Sequence, residues 1–151
     1  MIGRTLGESS VAVGVRAEDW REAVEASGRL LVSSGAVKEG YVTAMVRVVE
    51  ELGAYAVIAP GVALPHARPE DGALGVGLSL VVLAEPVEFG STENDPVDLV
   101  FGFATPDADA HVELLGELAD FIESEQSLRA LRRARSAEEI IGIMEGGAER
   151  D

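Results

Sequence analysis

Gly75-Val76-Gly77-Leu78-Ser79-Leu80-Val81-Val82-Leu83 decides the fold class. Five of its last six residues are apolar, so it reads as a strand with apolar side chains on both faces, as expected at the centre of a sheet covered on both sides. Upstream, Val11, Val13 and Val15 alternate with small residues and predict a strand over 11–16. Trp20, Ala23, Val24, Leu30 and Leu31 recur at helical spacing over about 18–33, and Gly35 stands where a left-handed cap costs little. Tyr41, Ala44, Met45, Val48 and Leu52 predict a second amphipathic helix closed by Gly53, the two helices forming a hairpin-like pair.

Tyr55 to Ala59 is a short β-prone run, and beyond Pro60-Gly61 an extended stretch leads to Pro65 and His66. Residues 67–72 form a loop, and 85–96 read as a turn-rich segment before a strand over 98–103. Thr105-Pro106-Asp107 opens a helix carrying Val112, Leu114, Leu115, Leu118, Phe121 and Ile122, with His111 in its early turns. A short helix follows from Ser127 to Arg133. Ser136-Ala137-Glu138-Glu139 is a capping-box sequence for a last helix ending near Met144, and the tail 146–151 is expected to fray. The expectation is one α/β domain spanning 1–151, ordered over about 5–145: an α/β/α sandwich with a mixed sheet of about five strands flanked by helices.

Composition narrows the functions. The chain has 151 residues, 47% of them hydrophobic and 26% charged, which suits a single soluble domain. No apolar run reaches the roughly 20 residues of a membrane span, and the first residues lack a secretory core. With no cysteine there is neither a disulfide framework nor thiolate chemistry, in keeping with a cytoplasmic location. The net charge of −15 repels nucleic acid and anionic lipid and attracts basic protein surfaces. Arg129, Arg132 and Arg133, which share a helical face, read as a solvated face near a helix C-terminus.

Walker loop, nucleophile elbow and dinucleotide fingerprint are all missing. Asp107, Asp109 and His111 diverge around a helix's first turn instead of converging on a metal ion. Two histidines remain in the whole chain, His66 and His111. Pro65 has no N–H and a fixed φ, and Leu64-Pro65 favours extended backbone, so His66 stands at a strand end, exposed on one side. That setting suits a nucleophile, while a structural imidazole stays open as the alternative. His111, taken alone, reads as structural.

Tyr41-Val42-Thr43-Ala44-Met45, Gly61-Val62-Ala63-Leu64-Pro65-His66, and His111 followed by Glu113-Leu114-Leu115 occur in an order and spacing that resemble the mannitol/fructose-type enzyme IIA domains of the bacterial sugar phosphotransferase system. Ala54-Tyr55, Pro65-His66-Ala67-Arg68-Pro69-Glu70 and Pro86-Val87-Glu88-Phe89-Gly90 look most similar to the ascorbate-type branch. The resemblance implies a phosphoryl carrier in which His66 accepts phosphate from phospho-HPr and passes it to a cysteine of an enzyme IIB, for ascorbate uptake through a membrane enzyme IIC. It implies no cofactor and no metal, and neither nucleic-acid binding, already disfavoured by the net charge, nor direct membrane insertion is expected. His111 matches the family's second active-site histidine, stabilising the phosphoryl group. Where mannitol and fructose members have an Arg-Glu pair this chain reads Val48-Val49, and Arg47 is one position off. Arg68 is then the nearest candidate for phosphate support, with an ordinary exposed turn arginine as the other reading. Docking is expected on apolar surface around His66 such as Leu64. The alternative function is a regulatory protein of the nitrogen type, whose phosphorylation state controls partner binding without onward sugar transport.

Overall fold

The computed structural model describes residue 7 and residues 10–150, with side chains through 145. The central segment forms β4 (Gly77–Val87), two residues shorter at its start than expected and four longer at its end. The turn expected from residue 85 gives way to strand because Val87 pairs with Val97 across an irregularity that begins after Val82. Ala84, Glu85 and Pro86 point into solvent there, where turn-forming residues are tolerated. Around β4 stand β1 (Val11–Val15), β2 (Val57–Ala59), β3 (Val62–Ala63) and β5 (Val97–Ala104), in the sheet order β1-β4-β5-β3-β2. β4 and β5 are antiparallel, as are β2 and β3, whereas β1 runs parallel to β4 and β3 parallel to β5. The mixed five-stranded sheet is the one expected.

Period-two alternation divides the core. Leu78, Leu80, Val82, Leu99, Phe101 and Phe103 face one way, toward Leu114, Leu118, Leu131, Ile140 and Met144 of the C-terminal helices. Val81, Leu83, Val100 and Ala104 face the other, toward Ala23, Val24, Leu31, Tyr41, Met45 and Val49. Each fully buried Leu, Val or Phe contributes roughly 1.5–3 kcal/mol relative to exposure, so neither helical layer is dispensable. The result is the expected α/β/α sandwich.

The first layer is α1 (Trp20–Ser33) and α2 (Glu39–Leu52). Asp19 caps α1, accepting the Glu22 N–H at 3.0 Å. Gly35, at φ +82°, ends it in the left-handed conformation anticipated. The two helices approach at Gly28, where a Cβ would lie 3.0 Å from both Val42 methyls. The buried stripe of α2 is Tyr41, Ala44, Met45, Val46 and Val49, rotated from the one anticipated: Val48 is half-buried and Leu52 is 59% exposed.

The opposite layer is α3 (Ala108–Ile122), α4 (Glu125–Arg133) and α5 (Ala137–Arg150). α4 starts two residues earlier than expected, because Ser124 accepts the Ser127 N–H as its cap. Ser136 caps α5 through the Glu139 N–H, as its capping-box sequence implied. α5 continues past Met144 to Arg150; Asp151, the end of the tail expected to fray, lies outside the described residues.

The arginine face expected to be solvated is only partly so. Arg132 is half-buried: its Nε donates to both Asp98 carboxylate oxygens at 2.9 Å, and its Nη2 donates to the Pro60 carbonyl at 3.1 Å. Gly61, at φ +76°, has a backbone that favours glycine, and a Cβ there would meet Arg132 Nη2 at 2.5 Å and push the guanidinium aside. The β2–β3 turn is thereby clamped to the start of β5, fixing where β3 delivers the chain.

Candidate active site

β3 stops at Ala63, and the chain leaves the sheet through Leu64 and Pro65 to reach His66. Because Pro65 has no N–H to extend the ladder, backbone order past this point depends on other contacts. Leu64 supplies two of them. Its N–H donates to the Ala56 carbonyl at 2.8 Å, and its own carbonyl lies 3.0 Å from His66 Nδ1. A carbonyl can only accept, so Nδ1 carries the proton and Nε2 is left with its lone pair.

Two aromatic neighbours complete the surroundings. The His66 ring is 4.4 Å, centroid to centroid, from Phe103 near the end of β5. His111, in the second turn of α3, lies 5.5 Å from His66 and 5.2 Å from Phe103. The two histidines, 45 residues apart in sequence, therefore share one site, with Phe103 packed against both rings. Asp107 is occupied as the cap of α3, its Oδ1 accepting the Ala110 N–H at 2.8 Å. This places His111 one turn into α3, near the positive end of the helix.

Burial lowers the His66 pKa below its ordinary 6.5, and the nearby His111 pushes the same way against the opposing Leu64 hydrogen bond. A half-buried imidazole with a depressed pKa is neutral at neutral pH, the form that has a nucleophilic nitrogen.

His66 opens onto an apolar cavity of about 230 Å³ lined by Val48, Val49, Leu52, Tyr55, Ala56, Ile58, Leu64, Pro65 and Leu115. Tyr55 is 81% exposed and Ile58 45%, so the mouth of this cavity presents unburied apolar surface. Leu64, expected to form that surface, is buried and lines only its floor. Val48 and Val49 belong to the wall. Arg47 is exposed and is not part of it.

Val48 and Val49 thus present uncharged, apolar side chains to the cavity beside His66. Residues 4–146 match the family model described as phosphoenolpyruvate-dependent sugar phosphotransferase system, EIIA 2. The chain belongs to this enzyme IIA family. It is 39% identical over 137 residues to the ascorbate-specific PTS system EIIA component of Escherichia coli (strain K12), covering 90% of this chain and 89% of that protein. Among solved structures, the solution structure of the mannitol-specific cryptic phosphotransferase enzyme IIA from Escherichia coli superposes with a TM-score of 0.85 at 35% identity, over 95% of this chain and 97% of that one. The Escherichia coli complex of enzyme IIAMtl with phosphorylated enzyme IIBMtl gives 0.82 at 28% identity, over 93% and 97%. As an enzyme IIA, the protein is a phosphotransferase component.

Arg68 is exposed just beyond the site and heads the short 3₁₀ turn Pro69–Asp71, its N–H donating to Asp71 Oδ2 at 3.1 Å. Its guanidinium makes no ion pair among the described residues. Residue-by-residue reading missed Phe103, which looked like one more apolar residue of β5. It also missed Arg132, whose partner Asp98 is 34 residues away.

Proposed function

We propose that His66 accepts a phosphoryl group at Nε2 from phospho-HPr and passes it to a cysteine of a cognate enzyme IIB, serving ascorbate uptake. The observation that carries this reading is the Leu64 carbonyl at 3.0 Å from Nδ1, which commits the proton to one nitrogen and the lone pair to the other. On loading, the P–N bond of the donor phosphohistidine breaks as the bond to Nε2 forms. Nδ1–H stays on the Leu64 carbonyl throughout. Such transfers depend on positioning and on stabilising charge, so the site needs donors more than an elaborate catalytic group. His111 supplies one of them to the phosphoryl oxygens, aided by the α3 N-terminus. Arg68, whose guanidinium makes no ion pair among the described residues, supplies another from the rim.

The partners dock on the apolar mouth formed by Leu52, Tyr55, Ile58 and Leu115. A small, quickly released interface suits a relay that must meet a donor and an acceptor in turn. The −15 net charge steers a basic HPr face toward the protein. Ascorbate as the sugar rests on the ascorbate-specific relative, and enzyme IIB as acceptor on the mannitol complex. Among the described residues no helix is long and apolar enough to cross a membrane, in keeping with a carrier that works in the cytoplasm and reaches enzyme IIC only through enzyme IIB.

The test is labelling from phosphoenolpyruvate, enzyme I and HPr. His66→Ala abolishes it, and His111→Ala slows it by about tenfold or more. Full labelling of His66→Ala would sink the assignment. Chasing the label into enzyme IIB then separates a transport relay from a regulatory protein that keeps its phosphate.

A further inference from the structure

Tyr41 is 1% exposed, yet it places its hydroxyl where three polar backbone groups converge. The hydroxyl oxygen accepts the Ala67 N–H at 3.0 Å. Its single proton is shared between the Phe103 carbonyl at 2.9 Å and the Ala67 carbonyl at 3.1 Å. Both partners matter for where they sit: Ala67 directly follows His66, and the Phe103 ring packs against both imidazoles. One phenol oxygen therefore ties the segment bearing His66 to the strand bearing Phe103.

Little else holds that segment. β3 has ended at Ala63, and Pro65 has no N–H to give. The Leu64 contacts fix the chain ahead of His66, whereas both backbone polar groups of Ala67, just behind it, go to Tyr41. Burial pushes the Tyr41 pKa up to about 12, so the phenol remains a donor across the physiological range. Packing alone would be served by phenylalanine, which fills the same space without the oxygen.

We propose that Tyr41 is a positioning residue for phosphoryl transfer, its hydroxyl setting the spacing between His66 and the Phe103–His111 side of the site. This rests on the reading of His66 as the phosphoryl carrier. Displacing a reacting group by about 1 Å costs on the order of a hundredfold in rate, so a loosened Ala67 shows in the transfer step well before the fold fails.

The experiment uses the full chain with Tyr41→Phe and, as a stability control, Asp95→Asn. Asp95 accepts N–H groups from Phe89, Gly90 and Ser91 near the start of β5, the end away from His66. Loading from phospho-HPr is followed at limiting and saturating donor at 20 °C, and the His66 ring is titrated by NMR. For Tyr41→Phe the expected result is a rate at saturating donor roughly 10- to 100-fold lower, a donor KM within about twofold of the parent, and a displaced His66 titration. Asp95→Asn is expected to lose stability while loading at the parent rate. Replacing Tyr41 by 4-aminophenylalanine, which keeps a donor and an acceptor at the same place, is expected to restore most of the rate. Parent rate and parent His66 titration in Tyr41→Phe, with His66→Ala unlabelled, would overturn the positioning role alone. Equal slowing in Asp95→Asn would also overturn it by making the effect one of stability. Labelling of His66→Ala overturns the underlying reading and this inference with it.

Discussion

Arg132→Leu tests how the β2–β3 turn is held. The substitution keeps an apolar stem on α4 and removes the guanidinium, and with it the two 2.9 Å contacts from Nε to Asp98 and the 3.1 Å contact from Nη2 to the Pro60 carbonyl. A fully buried pair broken on one side costs about 3–5 kcal/mol, and a fully exposed one about 0.2–1 kcal/mol. The Arg132 and Asp98 side chains are 31% and 26% exposed, between those limits, and the Pro60 carbonyl regains water. The expected loss is therefore about 2 kcal/mol, which for a chain of this length lowers Tm by roughly 4–8 °C. Calorimetry and urea unfolding measure the single variant. A cycle with Asp98→Asn isolates the pair, with an expected coupling of about 1–2 kcal/mol that shrinks in molar salt. A loss below about 0.5 kcal/mol, or a coupling near zero, refutes the clamp and returns Arg132 to an ordinary surface arginine.

The remaining predictions concern the site and the sheet. The lowered His66 pKa has a definite sign: below 6.5 the unfolded chain takes up a proton that the folded site resists, so the stability contribution is complete above 6.5 and is lost as pH falls through the folded value. An NMR midpoint for His66 below 6.5 is expected, together with a Tm that falls less between pH 7.5 and 5 in His66→Gln; a midpoint at or above 6.5 counts against it. Ile58→Glu puts a charge at the cavity mouth on a residue already 45% exposed, so Tm should hold while affinity for HPr and enzyme IIB drops about tenfold or more, read by isothermal titration. Gly102→Ala would bring a Cβ to 2.7 Å from Ser79 Oγ and 3.0 Å from Ser27 Oγ in the buried contact between β5 and α1, costing about 1–3 kcal/mol in urea unfolding.

Several of these features were legible in the chain itself, for identifiable reasons. Residues 78–83 announced a central strand because apolar side chains occupy both parities, which a sheet covered on only one face does not require. The capping serine at 136 and the glycine at 35 act through their immediate neighbours, so local reading placed both helix boundaries well. His66 stood out because Pro65 ends strand pairing next to it. Val48 and Leu52 were misplaced into the core because an exposed apolar surface and a buried stripe use the same side chains, and helical spacing alone cannot tell them apart. Strand β4 ran past its expected end because pairing with Val97 outweighs the turn preference of Glu85-Pro86. Arg132, the hydroxyl of Tyr41, and Phe103 in its contact with His66 take their roles from partners more than 25 residues away, a distance that no local pattern spans.

The parallel pairing of β3 with β5 also bears on when the protein becomes competent. Val62 opposite Leu99 and Ala63 opposite Val100 are the register contacts that bring His66 beside Phe103, and they close a loop through the whole of β4. The β4–β5 hairpin needs no such closure and carries neither histidine. Contacts of long sequence separation form late, after the entropy of joining distant segments has been met. A nascent or partly folded molecule therefore has the sheet's centre before it has two adjacent imidazoles. The juxtaposition of the two imidazoles thus reports that the β3–β5 pairing is complete.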